Sequence, residues 1–407
     1  MKTIYNILIL TLIACSLSGC NGSQEPVPNA VYGVEHASKL VLSPNSPVLV
    51  ADGTSALSFS GDFYYTTPAT KDSLFLLLPD RVDQSKVVIK SSDGKTFTAA
   101  DSYTCNDDSP REVTFTANYG SLTSDPVTVQ LYPASKPVES RREIPVTVYL
   151  FSSDKTAHLA SDLTDDYLGQ VIDELNRICD GSAYPTAPSK GDLGVTYKLT
   201  KVSRKKIKPE EEKRDYLSDF CRKKKLYDSA KDMLYIMIIT PSTTSPDMEI
   251  VPKYTFGDPK SLPGVRREGL TPIHSIDEVK DQLVSTDICI DLSFTLLQTY
   301  SSHVAASAIA YRLGLFYGLI SSEVDTRFAD LKGKTDVDYC PDTYTVDRTF
   351  SGTRMVTIPL QNGARYRYRP LHVMESEGPS YVFTADQAKR IKVAMRDIPF
   401  RGQGVPK

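Results

Sequence analysis

Between Val31 and Tyr132 apolar residues recur at every second position in short runs, and after Ile144 that rhythm gives way to mixed periods. The chain must therefore build two differently made parts. Val113-Thr-Phe115-Thr-Ala117-Asn-Tyr119 and Val127-Thr-Val129-Gln-Leu131 alternate as half-buried strands do. Ala51-Asp52-Gly53, Ser92-Asp93-Gly94 and Tyr119-Gly120 punctuate them at spacings suited to a small β-sandwich over 31–132. Pro133 to Glu143, polar with two prolines, reads as a linker. Beyond it Ile144–Leu150 predicts a strand. Thr164-Asp165-Asp166 predicts a helix start, with Leu168, Val171, Ile172, Leu175 and Ile178 on one face. Val195–Leu199 and the apolar run Met233–Ile239 predict two more strands, the second buried and central. The expectation is an all-β sandwich followed by a mixed α/β (α+β) domain over 144–407.

The first residues set the compartment. Met1-Lys2, an apolar stretch from Ile4 to Leu17 and then Leu17-Ser18-Gly19-Cys20 form a secretory signal (1–19) ending in a bacterial lipobox, so Cys20 is the expected lipidation site. The apolar stretch is shorter than the ~20 residues a membrane-spanning helix needs. Residues 20–30 then serve as a lipidated tether, placing the protein in a bacterial cell envelope. Net charge is −3, or −4 once Lys2 leaves with the signal, which recommends neither nucleic acid nor an anionic membrane face as partner. The basic runs Arg204–Lys206 and Arg222–Lys225 are interleaved with acids and read as solvated surface. Setting aside Cys15 and Cys20 leaves Cys105, Cys179, Cys221, Cys289 and Cys340, an odd number without C-x-x-C spacing. At least one thiol stays unpaired, and no pairing follows from spacing.

Chemistry concentrates in Ser307-Ala-Ile-Ala-Tyr311-Arg-Leu-Gly314-Leu-Phe-Tyr317. The stretch has the frame H-E-x-x-H-x-x-G-x-x-H, in which three His hold zinc and the Glu takes a proton from metal-bound water. Here the ligand positions are Ser307, Tyr311 and Tyr317, and the base position is Ala308. Neutral hydroxyls do not replace imidazoles, and Ala carries no proton. Ser302–Leu313, rich in Ala, predicts a helix, with Gly314 as its left-handed end and the two tyrosines filling the vacated metal space. A Ser-His pair, Ser307 with His303 one turn earlier, lacks an oxyanion hole and an orienting group. Glu323 and Asp325 are too few for a calcium loop.

The order of parts is similar to the pappalysin-like branch of the metzincin metalloproteases, in particular to Gram-negative lipoproteins that join an immunoglobulin-like domain to a catalytic one. Leu40–Pro44, Val48–Gly53 and Ala117–Val129 resemble bacterial immunoglobulin-like domains. Asp173–Asn176, Gly194–Leu199, Asp232–Ile238, Pro263-Gly264-Val265, Asp338–Thr343, His372–Ser376 and Phe383–Arg390 resemble successive pieces of the protease domain. The resemblance implies a metzincin-like zincin fold, a Met-turn at Met374, and a peptide-binding edge at Gly264 and Val265. The family's cofactor is zinc. With its ligands and base gone, and Ser376 where many relatives carry a Tyr, the expectation is a pseudoprotease without cofactor that binds a polypeptide or surface partner. It would be lipid-anchored at the outer membrane, on the periplasmic or the surface side. The alternatives are an active zinc endopeptidase with non-standard ligands and a structural or adhesive envelope lipoprotein.

Overall fold

The computed structural model describes residues 33–399 except 68–69, 78–81, 108, 137, 213, 240–251, 257–269, 298–300, 325–337, 345, 348–355, 360–364, 369–370 and 376–379. The expected signal, Cys20, the edge residues Gly264 and Val265, and Ser376 and Asp325 lie outside the described residues.

Among the described residues of the first part, alternation produces ten strands. They are β1 (Lys39–Pro44), β2 (Val48–Ala51), β3 (Ala56–Thr67), β4 (Thr70–Leu76), β5 (Val88–Ser91), β6 (Thr96–Thr98), β7 (Ser102–Thr104), β8 (Arg111–Tyr119), β9 (Leu122–Thr123) and β10 (Val127–Pro133). One sheet runs β1-β3-β4, with β7 also on β3; the other runs β2-β10-β8-β5-β6, with β9 on β8. All pairs are antiparallel except β2 with β10. Leu40, Leu57, Phe59 and Phe63 of the first sheet share one core with Leu49, Ile89, Val113, Phe115 and Val129 of the second. Phe59 and Phe115 meet across it with ring centroids 4.8 Å apart. Period two in the sequence thus becomes two faces, one buried between sheets and one wet.

The second part is built on four parallel strands, β11 (Arg142–Ser152), β12 (Val195–Lys206), β13 (Leu234–Ile239) and β14 (Cys289–Ser293), in the order β12-β11-β13-β14. The central strand β13 shows why its sequence is apolar throughout. Leu234, Ile236 and Ile238 enter one core, while Tyr235, Met237 and Ile239 enter another on the opposite face. Helix α1 (Asp165–Cys179) covers the first face, together with α3 (Ser302–Phe316); α2 (Arg214–Lys224) covers the second. Thr164 caps α1 as the sequence predicts, its hydroxyl accepting from the Tyr167 N–H at 3.1 Å. A last helix, α4 (Ala385–Asp397), opens with a reciprocal Thr384–Gln387 box and packs Ala388, Ile391, Ala394 and Met395 into the first core. The chain is thus a mixed α and β protein of two parts joined by a short link between Pro133 and Arg142.

The two parts are docked, not merely tethered. The segment between α1 and β12 reaches over the sandwich, where Val50 N–H donates to the Pro188 carbonyl at 2.8 Å and Ala56 N–H to the Thr186 carbonyl at 3.1 Å. Lys190 pairs with Asp52 at 3.0 Å. Burial pushes the Asp52 carboxyl up, but the Ser55 and Thr54 groups and the Lys190 ammonium bring it down to about 2. Tyr344 donates to the Pro44 carbonyl at 3.2 Å, and Tyr132 to Asp386 at 2.9 Å. Cys105, Cys179, Cys221, Cys289 and Cys340 are all buried and unbridged. No helix among the described residues is long and apolar enough to cross a membrane.

Candidate functional site

Helix α3 carries the zinc-frame positions, and its end departs from the expectation. Gly314 is not the helix-ending residue: the helix runs on to Phe316, and Gly318, with φ of 80°, takes the left-handed position. Gly318 N–H donates to the Leu315 carbonyl and Leu319 N–H to the Gly314 carbonyl, both at 2.9 Å, a Schellman closure one turn later than the frame implies. Both Leu315 and Phe316 are buried, so extending the helix buries apolar surface that an earlier stop would leave to a loop.

Gly314 is needed for a different reason. A Cβ there would lie 2.5 Å from Met374 Sδ, 3.3 Å from Leu319 Cδ1 and 3.5 Å from Phe383 Cε1. The tight turn Val373–Glu375 places Met374, fully buried, against the helix backbone.

The longer helix separates the frame positions. At about 100° per residue, Tyr311 is about 40° round the helix from Ser307, but position 317 is about 120° from Tyr311. Ser307 is 2% exposed and knitted to Ser380: its oxygen accepts from the Ser380 N–H at 2.6 Å and lies 2.7 Å from the Ser380 hydroxyl. Tyr317 instead enters the core between α3 and β12, where its hydroxyl is 3.0 Å from that of Tyr197. Burial, then the neighbouring Tyr317, push the Tyr197 hydroxyl well above its ordinary range, so Tyr197 remains a neutral phenol. The expectation that Tyr311 and Tyr317 fill one vacated space is corrected accordingly: Tyr311 is buried on the Ser307 side, and Tyr317 belongs to another face. His303 does not serve Ser307 either. It stacks on Tyr381 at 4.6 Å and approaches Glu174 at 3.5 Å.

These donors do not fit zinc. The Ser307 and Tyr317 hydroxyls are engaged in protein hydrogen bonds, Tyr317 lies on a different face from Ser307 and Tyr311, and Ala308 supplies no base. Among the described residues no group of three or more His, Cys, Asp or Glu gathers in a way that could hold a metal.

A buried ionic cluster behind the frame escaped the sequence reading. His372 Nδ1 lies 3.1 Å from Glu375 Oε1, and Glu375 Oε2 accepts from the N–H groups of Leu371 and His372 at 3.0 Å each. Burial pulls the His372 imidazole down, but Glu375 and, beyond it, Asp342 raise it on balance; burial pushes Glu375 up, but His372 and the two N–H groups hold it below its usual value. His372 Nε2, near the Ser189 carbonyl, is outside hydrogen-bonding geometry. Asp342, fully buried, accepts from Ser189 Oγ at 2.7 Å, Thr384 Oγ1 at 2.7 Å and the Asp386 N–H at 2.9 Å, at the N-terminus of α4. It ties the interdomain segment to the closing helix. His372 and Asp342 are thirty positions apart in sequence, so only the pairing of His372 with a carboxylate three residues on was visible there.

No family model and no curated protein matches this chain. A solved structure described as "Structure of a chaperone-substrate complex" superposes with a TM-score of 0.29 at 7% identity, covering 90% of this chain and 64% of that one. The chain thus spans less than two thirds of the length of that solved chain, and a likeness of this degree carries no argument about fold or function.

Proposed function

We propose that this is an envelope lipoprotein, anchored through Cys20, whose second domain is a metzincin-like scaffold that has exchanged metal chemistry for internal hydrogen bonds and acts by binding a polypeptide or surface partner. The observation that carries the reading is the Ser307–Ser380 knot: the first ligand position is sealed into the protein by bonds of 2.6 and 2.7 Å instead of facing a cleft. Support for the scaffold comes from four parallel strands, a helix between the first two, a second helix after the last, and a Met-bearing turn packed beneath that helix. Support for an immunoglobulin-like first domain comes from two sheets facing across one core. The outer membrane is the proposed location.

The test is metal content of the purified protein, measured together with cleavage of a broad peptide mixture with and without chelator. The expected outcome is no stoichiometric zinc and no chelator-sensitive cleavage. One zinc per chain with cleavage abolished by chelator overturns the reading. Lipid attachment is checked separately by mass spectrometry of the mature N-terminus, where Cys20→Ala should abolish it.

A further inference from the structure

A groove of about 500 Å³ runs along the seam between the linker after β10, residues 191–192 and the outer face of α4. Its walls include Tyr132, Pro133, Val138, Ala388 and Val393, which are apolar or aromatic. Gly191 fixes the depth: a Cβ there would come within 2.3 Å of Ala388 Cβ and 2.5 Å of the Thr384 carbonyl, so the segment lies directly on the helix. Four basic residues, Lys136, Lys389, Lys392 and Arg396, line it against two acids. Asp192 is paired with Arg141 at 2.5 Å, while Asp386 accepts from the neutral Tyr132 hydroxyl at 2.9 Å and keeps its charge, so the lysines outnumber the one uncompensated acid. Arg396 is held by Asp397 at 2.7 Å, whereas Lys136, Lys389 and Lys392 are exposed and have no acidic partner among the described residues. A protein of net charge −3 therefore concentrates unneutralised positive charge at one groove.

We infer that this groove binds an extended acidic peptide segment. Lys389, Lys392 and Arg396 stand at i, i+3 and i+7 on one stripe of α4, about 10 Å of helix. That length matches about three residues of extended chain at about 3.3 Å each. Lys136 faces them from the linker side, so carboxylates alternating along a strand meet ammonium groups on both walls while the backbone and methylenes cover the apolar floor. Lysines, as mobile point charges, suit flexible Glu and Asp side chains better than a single rigid anion. The inference is independent of the fate of the zinc frame.

The experiment is fluorescence anisotropy of the whole mature chain with a labelled peptide of alternating Glu and Ala, against the same peptide with Gln. At about 0.15 M salt the Glu peptide should bind about tenfold or more tightly than the Gln peptide, and higher salt should erode the difference. Lys389→Glu/Lys392→Glu should reduce binding at least about tenfold with an unchanged circular dichroism spectrum, because both side chains are exposed. Lys223→Glu/Lys224→Glu on α2 should leave it unaltered. Equal affinity for the two peptides overturns the inference, as does indifference to the α4 charge reversal. Vesicles of phosphatidylglycerol and phosphatidylcholine form the other arm: lysine-dependent vesicle binding without peptide binding assigns the groove to a lipid surface and overturns it too.

Discussion

Replacing Gly314 by Ala tests whether the turn at Met374 and not the helix end dictates the glycine. In an unconstrained helix interior the change should stabilise by about 1 kcal/mol, since Ala loses less backbone freedom. Here the new methyl meets Met374 Sδ at 2.5 Å, and Leu319 and Phe383 close the other sides at 3.3 and 3.5 Å. Met374 is fully buried, so its sulfur moves only into occupied space. Overpacking of this kind costs about 1–3 kcal/mol, which leaves Gly314→Ala neutral to about 2 kcal/mol destabilising. Met374→Ala alone should cost about 2–5 kcal/mol through the cavity it opens. In that background the sign should invert, because the methyl at 314 then enters vacant space and the helix gain of about 1 kcal/mol returns. The coupling between the two sites is therefore expected at about 1–3 kcal/mol. Since the chain has no Trp, urea titrations followed by far-ultraviolet circular dichroism are the suitable assay. If Gly314→Ala stabilises both backgrounds by the same amount, the close approach of Met374 is not what excludes a side chain.

Other consequences are equally direct. Gly318→Ala, at φ of 80°, should cost about 1–2 kcal/mol in the same titration even though the site lies next to Gly314 in the helix closure. Tyr317→Phe removes the hydroxyl that Tyr197 meets in the core and should cost about 1–3 kcal/mol, while Tyr197→Phe/Tyr317→Phe should cost less than the sum of the single changes. Ser307→Ala leaves the buried Ser380 N–H without that acceptor and should likewise cost about 1–3 kcal/mol, with no loss of zinc to accompany it. For the ionic pair, the raised His372 contributes stability fully present below its ordinary pKa of 6.5 and lost as pH rises through the raised value. The lowered Glu375 contributes stability present above 4.5 and lost as pH falls through its depressed value. The deficit of Glu375→Gln relative to the parent should therefore be largest between pH 4.5 and 6.5 and shrink on either side. A deficit that grows steadily toward alkaline pH would refute the assigned pairing.

Much of this structure is written in local patterns, because those patterns report which face of an element is buried. Alternation from Val113 to Leu131 gave strands whose odd members fill the sandwich core, and Thr164 announced a helix start that its hydroxyl does cap. The continuous apolar run at Met233–Ile239 declared a strand buried on both faces. That Ser307, Ala308, Tyr311 and Tyr317 hold neither the imidazoles nor the carboxylate of a zinc site was likewise a matter of residue type alone.

What residue type did not determine was where α3 stops and what each hydroxyl meets. Two glycines, Gly314 and Gly318, are equally able to end a helix by their own conformational freedom. The choice fell to packing: burial of Leu315 and Phe316 favours one more turn, and Met374 claims the space at Gly314. That extra turn rotates Tyr317 away from Ser307 and delivers it to Tyr197, 120 positions earlier in the chain. Ser307 with Ser380, Asp342 with Ser189 and Thr384, and Lys190 with Asp52 are unions of the same kind. Periodicity is a property of neighbours along the backbone, and so the sequence by itself determined the elements and their buried faces. Hydrogen-bond partners and helix ends depend on groups brought together across the chain, and only the tertiary structure decided those.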